Sequence, residues 1–235
     1  LKEMQFTMKM KITFCLLINV LSLALVLSCS SDDTSQSTYI QQGNDLLRQG
    51  ETAKAIAIFD QAIDANPNQA ETYVIRGIAY LTIDPNVSLV DFNKAIEINQ
   101  EYVDAYLQRG NFYFSRAIAL GDSSDLELSM NDFDTVIEIE PDNSEGFNRR
   151  ARIHILAGNK NQGLFDLNDA IRHNPLNAEA VVDRGMLLGD LAQEETGVDP
   201  DLKESSCNDL SSIPDLTNDA LIIQDAMDFF LLYEC

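Results

Sequence analysis

The sequence has no tryptophan, two histidines and four cysteines, and sets 16 lysines and arginines against 38 aspartates and glutamates in 235 residues. Each scarcity removes a class of function. Without tryptophan there is little to build an aromatic platform for sugars. Two histidines and four cysteines make a zinc site of the usual ligand count hard to assemble. A formal net charge of -22 repels phosphate backbones, so nucleic acid is not an expected partner. Neither histidine stands at a known motif spacing from a nucleophile, and there is no Gly-rich phosphate loop or His-x-x-x-His pair. No enzyme chemistry and no cofactor are therefore expected. What remains plentiful is apolar surface: 45% hydrophobic residues are too many for a disordered chain and enough for one or two domains.

The one long apolar run is Ile12 to Leu27, interrupted by Asn19. Met8-Lys9-Met10-Lys11 precedes it, and Ser28, Cys29 and a polar stretch from Ser30 to Ser37 follow. A basic start, an apolar middle and a small residue before the cut describe a secretory signal, with Leu1 to Thr7 read as lying upstream of the true start. Val26-Leu27-Ser28-Cys29 resembles the lipobox of bacterial lipoproteins. That resemblance implies that residues 1–28 are removed, that Cys29 is acylated, and that 29–37 form a polar tether. Each buried CH₂ of the acyl chains would add about 0.8 kcal/mol of membrane affinity. An uncleaved signal anchor with an incidental cysteine is the alternative. Ser30 after Cys29 implies, by the lipoprotein sorting rule, the outer membrane of a Gram-negative envelope. Ser30-Ser31-Asp32-Asp33 looks like the export tag of surface lipoproteins in the Bacteroidota, and both the periplasmic side and the surface stay open.

The rest of the chain repeats itself. Gly43, Gly77, Gly110, Ala151 and Gly185 recur at spacings of 34, 33, 41 and 34 residues. Ala62, Ala95, Val136 and Ala170 keep the same rhythm, and Pro67, Gln100, Pro141 and Pro175 follow each by five residues. Within a unit, apolar residues such as Ala55, Phe59 and Ala62 stand three and four apart, the period of a helix. Gly50-Glu51 makes a turn, and Asn66-Pro67 ends the second helix. The pattern resembles the tetratricopeptide repeat, a helix–turn–helix unit of about 34 residues. Its large residue at repeat position four is Tyr39, Tyr73, Tyr106 and Phe147; position twenty-four is Phe59, Phe92, Phe133 and Leu167.

The resemblance implies an all-α, right-handed α-solenoid over residues 38–195. Its repeats fall at about 36–69, 70–102, 103–143 and 144–177, with a partial fifth from 178. Residues 196–235 would supply an irregular second helix for the fifth repeat, cut short at Pro214, and then a capping helix from Asp215 with Leu216, Ala220, Ile223, Met227 and Phe230 on one face. Seven extra residues in the third repeat, around Leu120 to Asp125, read as a widened turn.

Position seven, normally apolar in the family, is Arg76, Arg109, Arg150 and Arg184; position twenty-three of the same units is Asp91, Asp132, Asp166 and Asp209. Their co-occurrence points to an ion pair inside each unit, against the alternative of an arginine ladder for anionic ligands. His154 stands at position eleven in place of a core Tyr, and His173 in the last turn of a helix. Asp122, Asp125 and Glu127, and the run from Glu194 to Glu204, lack the order of a calcium loop and read as solvated acidic loops, so no metal is expected. With Cys15 in the leader and Cys29 acylated, Cys207 and Cys235 remain, either bridged in an oxidising envelope or as two free thiols.

By the same resemblance, a concave face is lined at position five by Ile40, Val74, Leu107 and Asn148, and at nine by Asn44, Ile78, Asn111 and Arg152. Position twelve adds Leu47, Leu81, Phe114 and Ile155, and the fifth unit contributes Val182 and Met186. Glu71, Asp104, Glu145 and Glu179 border it at position two. The implied function is a non-catalytic scaffold, held at a membrane by N-terminal acyl chains, that binds a peptide or protein segment in this groove. The alternative is an accessory surface lipoprotein for glycan or nutrient uptake, which the lack of tryptophan disfavours.

Overall fold

The computed structural model describes residues 38–194 and 200–233. The leader, Cys29, the tether and Cys235 lie outside the described residues. Within them there are eleven helices and no strand, and no helix is long and apolar enough to cross a membrane. The chain divides into two compact units, Leu1–Gln100 and Glu101–Cys235. The first holds α1 (38–48), α2 (Thr52–Ala65), α3 (Ala70–Tyr80) and α4 (Pro85–Ile98). The second holds α5 (Val103–Leu120), α6 (Ser123–Ile139), α7 (Ser144–Leu156), α8 (Lys160–His173), α9 (Ala178–Glu194), α10 (Pro200–Leu216) and α11 (Ala220–Leu232). Consecutive helices pair as hairpins, and within each unit the second helix of one hairpin packs on the first helix of the next.

Local sequence sets the breaks. Asp84, Asp122, Asn143 and Asp219 cap α4, α6, α7 and α11 by accepting a backbone N–H two or three residues on. Pro85 opens α4 where no intrahelical N–H is needed. Gly121 ends α5 at φ 70°, a left-handed conformation that costs a side-chain-bearing residue and not glycine. Asp122 accepts from both the hydroxyl and the backbone N–H of Ser124, which holds its carboxyl below the usual range.

Each hairpin closes on a small residue meeting a large one. A Cβ on Gly77 would stand 2.6 Å from the Phe92 ring, and one on Gly110 would stand 2.7 Å from Phe133. Gly185 meets Leu210 in the same manner. In α7 and α8 the pair is Ala151 and Leu167, so a larger small residue goes with a shorter large one. Around these contacts sit the cores, Ala55, Ile56, Phe59 and Ala79 in the first unit and Val103, Leu107, Phe133, Val136 and Ile153 in the second.

Three expectations change. The seven extra residues of the third repeat lengthen both helices, to 18 and 17 residues, and do not widen the turn. The extension is closed by Arg116, whose Nε and Nη2 donate to Asp125 at 2.6 and 2.5 Å, so Asp125 is buried and not solvated. Pro214 does not cut α10, which runs to Leu216: within three residues of a helix end, the missing N–H affects only the last turn. The last helix begins at Ala220, after its Asp219 cap, and turns Ala226 and Tyr233 inward with Ile222, Ile223, Phe229 and Phe230, leaving Ala220 and Met227 exposed.

Candidate functional site

The arginines at position seven meet the aspartates of their own hairpins as two-pronged pairs. Arg76 donates to Asp91 at 2.9 and 2.6 Å, Arg109 to Asp132 at 2.9 and 2.6 Å, Arg150 to Asp166 at 2.8 and 2.8 Å, and Arg184 to Asp209 at 2.8 and 2.8 Å. Asp91, Asp132 and Asp166 are buried. Hydrogen bonding to Asp91 and Asp166 raises the already high pKa of Arg76 and Arg150, so both guanidinium groups stay charged. Three of these arginines reach back to the preceding hairpin of the same unit as well. Arg76 donates to Asp60 at 2.7 Å, Arg150 to Asp134 at 2.8 Å and Arg184 to Asn168 at 2.9 Å. Their donors are spent on the fold, which leaves little for an anionic ligand. The sequence reading missed these second partners, although position twenty-five reads Asp60, Asp134 and Asn168 in register.

A second motif lies beneath the pairs. Ser129 donates to the Gly110 carbonyl and Ser206 to the Gly185 carbonyl, each at 2.8 Å. The equivalent Ser88 is buried with no hydrogen-bond partner. Of the histidines, His154 lies with Nε2 3.7 Å from Asp166, and His173 stacks on Phe147 at 5.6 Å. Among the described residues no group of His, Cys, Asp and Glu is arranged to hold a metal.

The first helices carry the candidate binding face, and each unit is taken by itself. Position five does not behave as an open lining. Val74, Leu107 and Asn148 are only 4, 5 and 1% exposed, because that position turns into the packing between neighbouring helices. In the first unit the accessible side chains are Ile40, Asn44 and Leu47 on α1, Ile78 on α3 and Leu81 just past its end, with Ile78 the most open at 40%. In the second unit Asn111, Phe114, Arg152 and Ile155 are half-buried.

Asn148 and Arg152 are already engaged. Asn148 Nδ2 donates to Asp183 Oδ2 at 2.7 Å, and Arg152 Nε donates to the same oxygen at 2.5 Å. Burial opposes the charge on Arg152, but Asp183 and Glu179 more than offset it and its pKa is raised. Arg149 joins Glu145 and Glu179 at 3.2 and 3.0 Å. Two arginines thus neutralise most of the acidic border expected at Glu145 and Glu179, whereas Glu71 and Asp104 remain exposed. Beside this network is a cavity of about 410 Å³, bounded by Ser144, Asn148, Arg149, Asn177, Glu179, Leu216, Thr217 and Ile222. Leu216 and Ile222 line it together with amide, guanidinium and carboxylate groups.

Residues 40–109 match the sequence model of the tetratricopeptide repeat family. The match covers 70 of the 235 residues, and the helix hairpins beyond it are similar to tetratricopeptide repeats. Solved tetratricopeptide proteins share the fold at low sequence identity. TTC0263 of Thermus thermophilus, a thermophilic member, superposes at a TM-score of 0.64 with 14% identity, over 84% of this chain and 98% of that one. Pseudomonas aeruginosa pilF does so at 0.67 with 14% identity, over 86% and 90%. YrrB, described as a tetratricopeptide protein with an unusual peptide-binding site, matches at 0.51 with 18% identity, over 81% and 90%. Among curated proteins, serine/threonine-protein phosphatase 5 of Rattus norvegicus is 30% identical over 105 residues, 44% of this chain and 20% of that protein. RNA polymerase II-associated protein 3 of Mus musculus is 30% identical over 125 residues, 52% of this chain and 18% of that protein. The chain therefore spans about a fifth of the length of these relatives.

Proposed function

We infer that the protein is a non-catalytic scaffold that grips a peptide or protein segment on its first-helix faces. The observation that carries this reading is the cavity of about 410 Å³ beside α7 and α9, which apolar Leu216 and Ile222 line together with the polar groups of Asn148, Arg149 and Glu179. YrrB, with its peptide-binding site, supports the same use of the fold. Half-buried Asn111 and Phe114 offer a backbone partner and an apolar contact in the same unit. A photo-crosslinking amino acid at Asn111 tests this. It should yield a discrete adduct with one polypeptide, and the same group at the exposed Phe165 on α8 should yield none. Equal labelling from both positions would refute the assignment.

The finer part of the proposal is the address. Cys29 is acylated after removal of residues 1–28, the tether is 29–37, and the protein resides at the outer membrane, with the repeat array over about 38–195 and the irregular segment and cap over 196–235. The support is the order of basic, apolar and Ser-Cys segments in the sequence. Metabolic labelling with an alkyne fatty acid should mark the protein, and Cys29→Ser should abolish the label and release the chain from membranes. A label that survives Cys29→Ser excludes lipidation at this residue. We also assign a disulfide between Cys207 on α10 and Cys235.

A further inference from the structure

The cavity beside α7 and α9 has a definite hydrogen-bonding character. Arg149 holds Glu145 through Oε1, with Nε at 3.4 Å and Nη2 at 3.2 Å, and holds Glu179 through Oε2 at 3.0 Å. Arg152 reaches the same Glu179 oxygen at 3.2 Å and Asp183 Oδ2 at 2.5 Å. Each glutamate is thus engaged through one oxygen, and its second oxygen accepts nothing from the described residues. Asn148 repeats the pattern from the interior. It is 1% exposed and lines the cavity, its Nδ2 donates to Asp183, and its Oδ1 accepts nothing from the described residues. Arg149 also lines the cavity, but its Nε, Nη1 and Nη2 are all directed at the two glutamates. Three carboxylates, Glu145, Glu179 and Asp183, face two guanidinium groups here, which leaves one negative charge in surplus.

We propose that this cavity is a lysine pocket. The partner segment inserts one lysine, whose methylene stem lies along Leu216 and Ile222 and whose ammonium donates to Glu145, Glu179 and Asn148 Oδ1. An ammonium carries three donors and no acceptor, which matches three oxygens that lack a donor. Lysine also joins an apolar stem to a charged head, as the lining joins apolar side chains to acceptors. Arginine does not fit in the same way. A guanidinium gains most from two parallel bonds to both oxygens of one carboxylate, and the open oxygens here belong to separate side chains. The side chains of Glu145 and Glu179 are 46 and 38% exposed, so the incoming ammonium keeps part of its hydration. The inference rests on the reading of this cavity as the docking site of a peptide segment, and names the residue that segment must carry.

The test uses the full isotope-labelled chain and the probe acetyl-Leu-Lys-Leu-amide, followed by NMR. The probe should bind saturably with a dissociation constant of about 1 mM or tighter and shift the Asn148 side-chain amide. Norleucine or acetyl-lysine in place of the lysine should weaken binding by about ten-fold or more, and arginine by about three-fold or more. The unacetylated norleucine probe, whose ammonium is at its amino terminus, separates the two sources of that group and should bind no better than the acetylated one. Glu145→Gln with Glu179→Gln should cost the lysine probe about ten-fold and leave the norleucine probe unchanged. Equal affinity for the lysine, norleucine and arginine probes, preference for the amino-terminal ammonium, no saturable binding at about 10 mM, or indifference to the glutamine changes overturns the proposal. The comparison of probes on the unaltered chain decides even if the double variant does not fold. Crosslinking from Asn111 reports on partner capture as a whole. An adduct there with no preference for lysine here leaves the scaffold reading standing, and lysine binding without an adduct fails that reading alone.

Discussion

Adding one methyl group at Gly110 tests how the hairpins close. The new Cβ would lie 2.7 Å from Phe133 Cε1 and 2.9 Å from Cζ. Carbon atoms sit comfortably at about 3.5–4.0 Å, so the ring must retreat by roughly 1 Å. It has nowhere to go, since Phe133 is 1% exposed and enclosed by Val103, Leu107, Val136 and Ile153. Overpacking of this kind costs about 1–3 kcal/mol, while alanine gains about 1 kcal/mol over glycine in helix propensity. Gly110→Ala should therefore lose about 1 kcal/mol net. In a Phe133→Leu background the obstruction is gone, and the same change should be neutral or stabilising, as Ala151 with Leu167 already shows within this chain. The coupling between the two sites should be about 1–2 kcal/mol. Urea denaturation followed by helical circular dichroism measures it: with a slope of about 2 kcal/mol per M, a 1 kcal/mol change moves the midpoint by about 0.5 M. If Gly110→Ala costs the same in both backgrounds, close approach is not what selects glycine there.

Three further outcomes follow from the other contacts. Arg109→Ala strands Asp132 in the interior and should cost about 3–5 kcal/mol, whereas the double change Arg109→Met with Asp132→Leu should recover most of that loss in the same denaturation assay. Burial, reinforced by Asp190, raises the Tyr233 pKa, so its phenol stays protonated after ordinary tyrosines ionise near pH 10. The stability this group contributes is complete below pH of about 10 and is lost as pH climbs through the raised value. Absorbance at alkaline pH should show a late tyrosine step, and Tyr233→Phe should remove it. Intact mass of the oxidised protein should rise by about 2 Da on reduction if Cys207 and Cys235 are bridged, and no change would mean two thiols.

The sequence made the hairpins legible because the residues that define them act locally and in register. Gly77 and Phe92, or Arg150 and Asp166, stand at fixed offsets within one unit, so recurrence alone brings them together. Contacts that cross from one hairpin to the next were harder to see, since Asp60 and Asp134 are ordinary surface aspartates until Arg76 and Arg150 arrive from the following unit. Position five misled for a physical reason: Asn148 donates to Asp183 on the following first helix, and Val74 and Leu107 are buried likewise, so the position is taken up by packing. Apolar residues lie on every side of α11, so periodicity did not single out its inner side. The docking of Tyr233 on Gly189 depends on a chain reversal between Leu216 and Ala220 that no local pattern encodes.

Where Arg150 joins Asp166 of its own hairpin and Asp134 of the one before, a seam is written half in each module. Arg76 and Arg184 repeat the formula. A duplicated hairpin that carries both halves, such as that of Arg150 and Asn168, would then present matching groups at its new junction, so its gain need not invent a new interface.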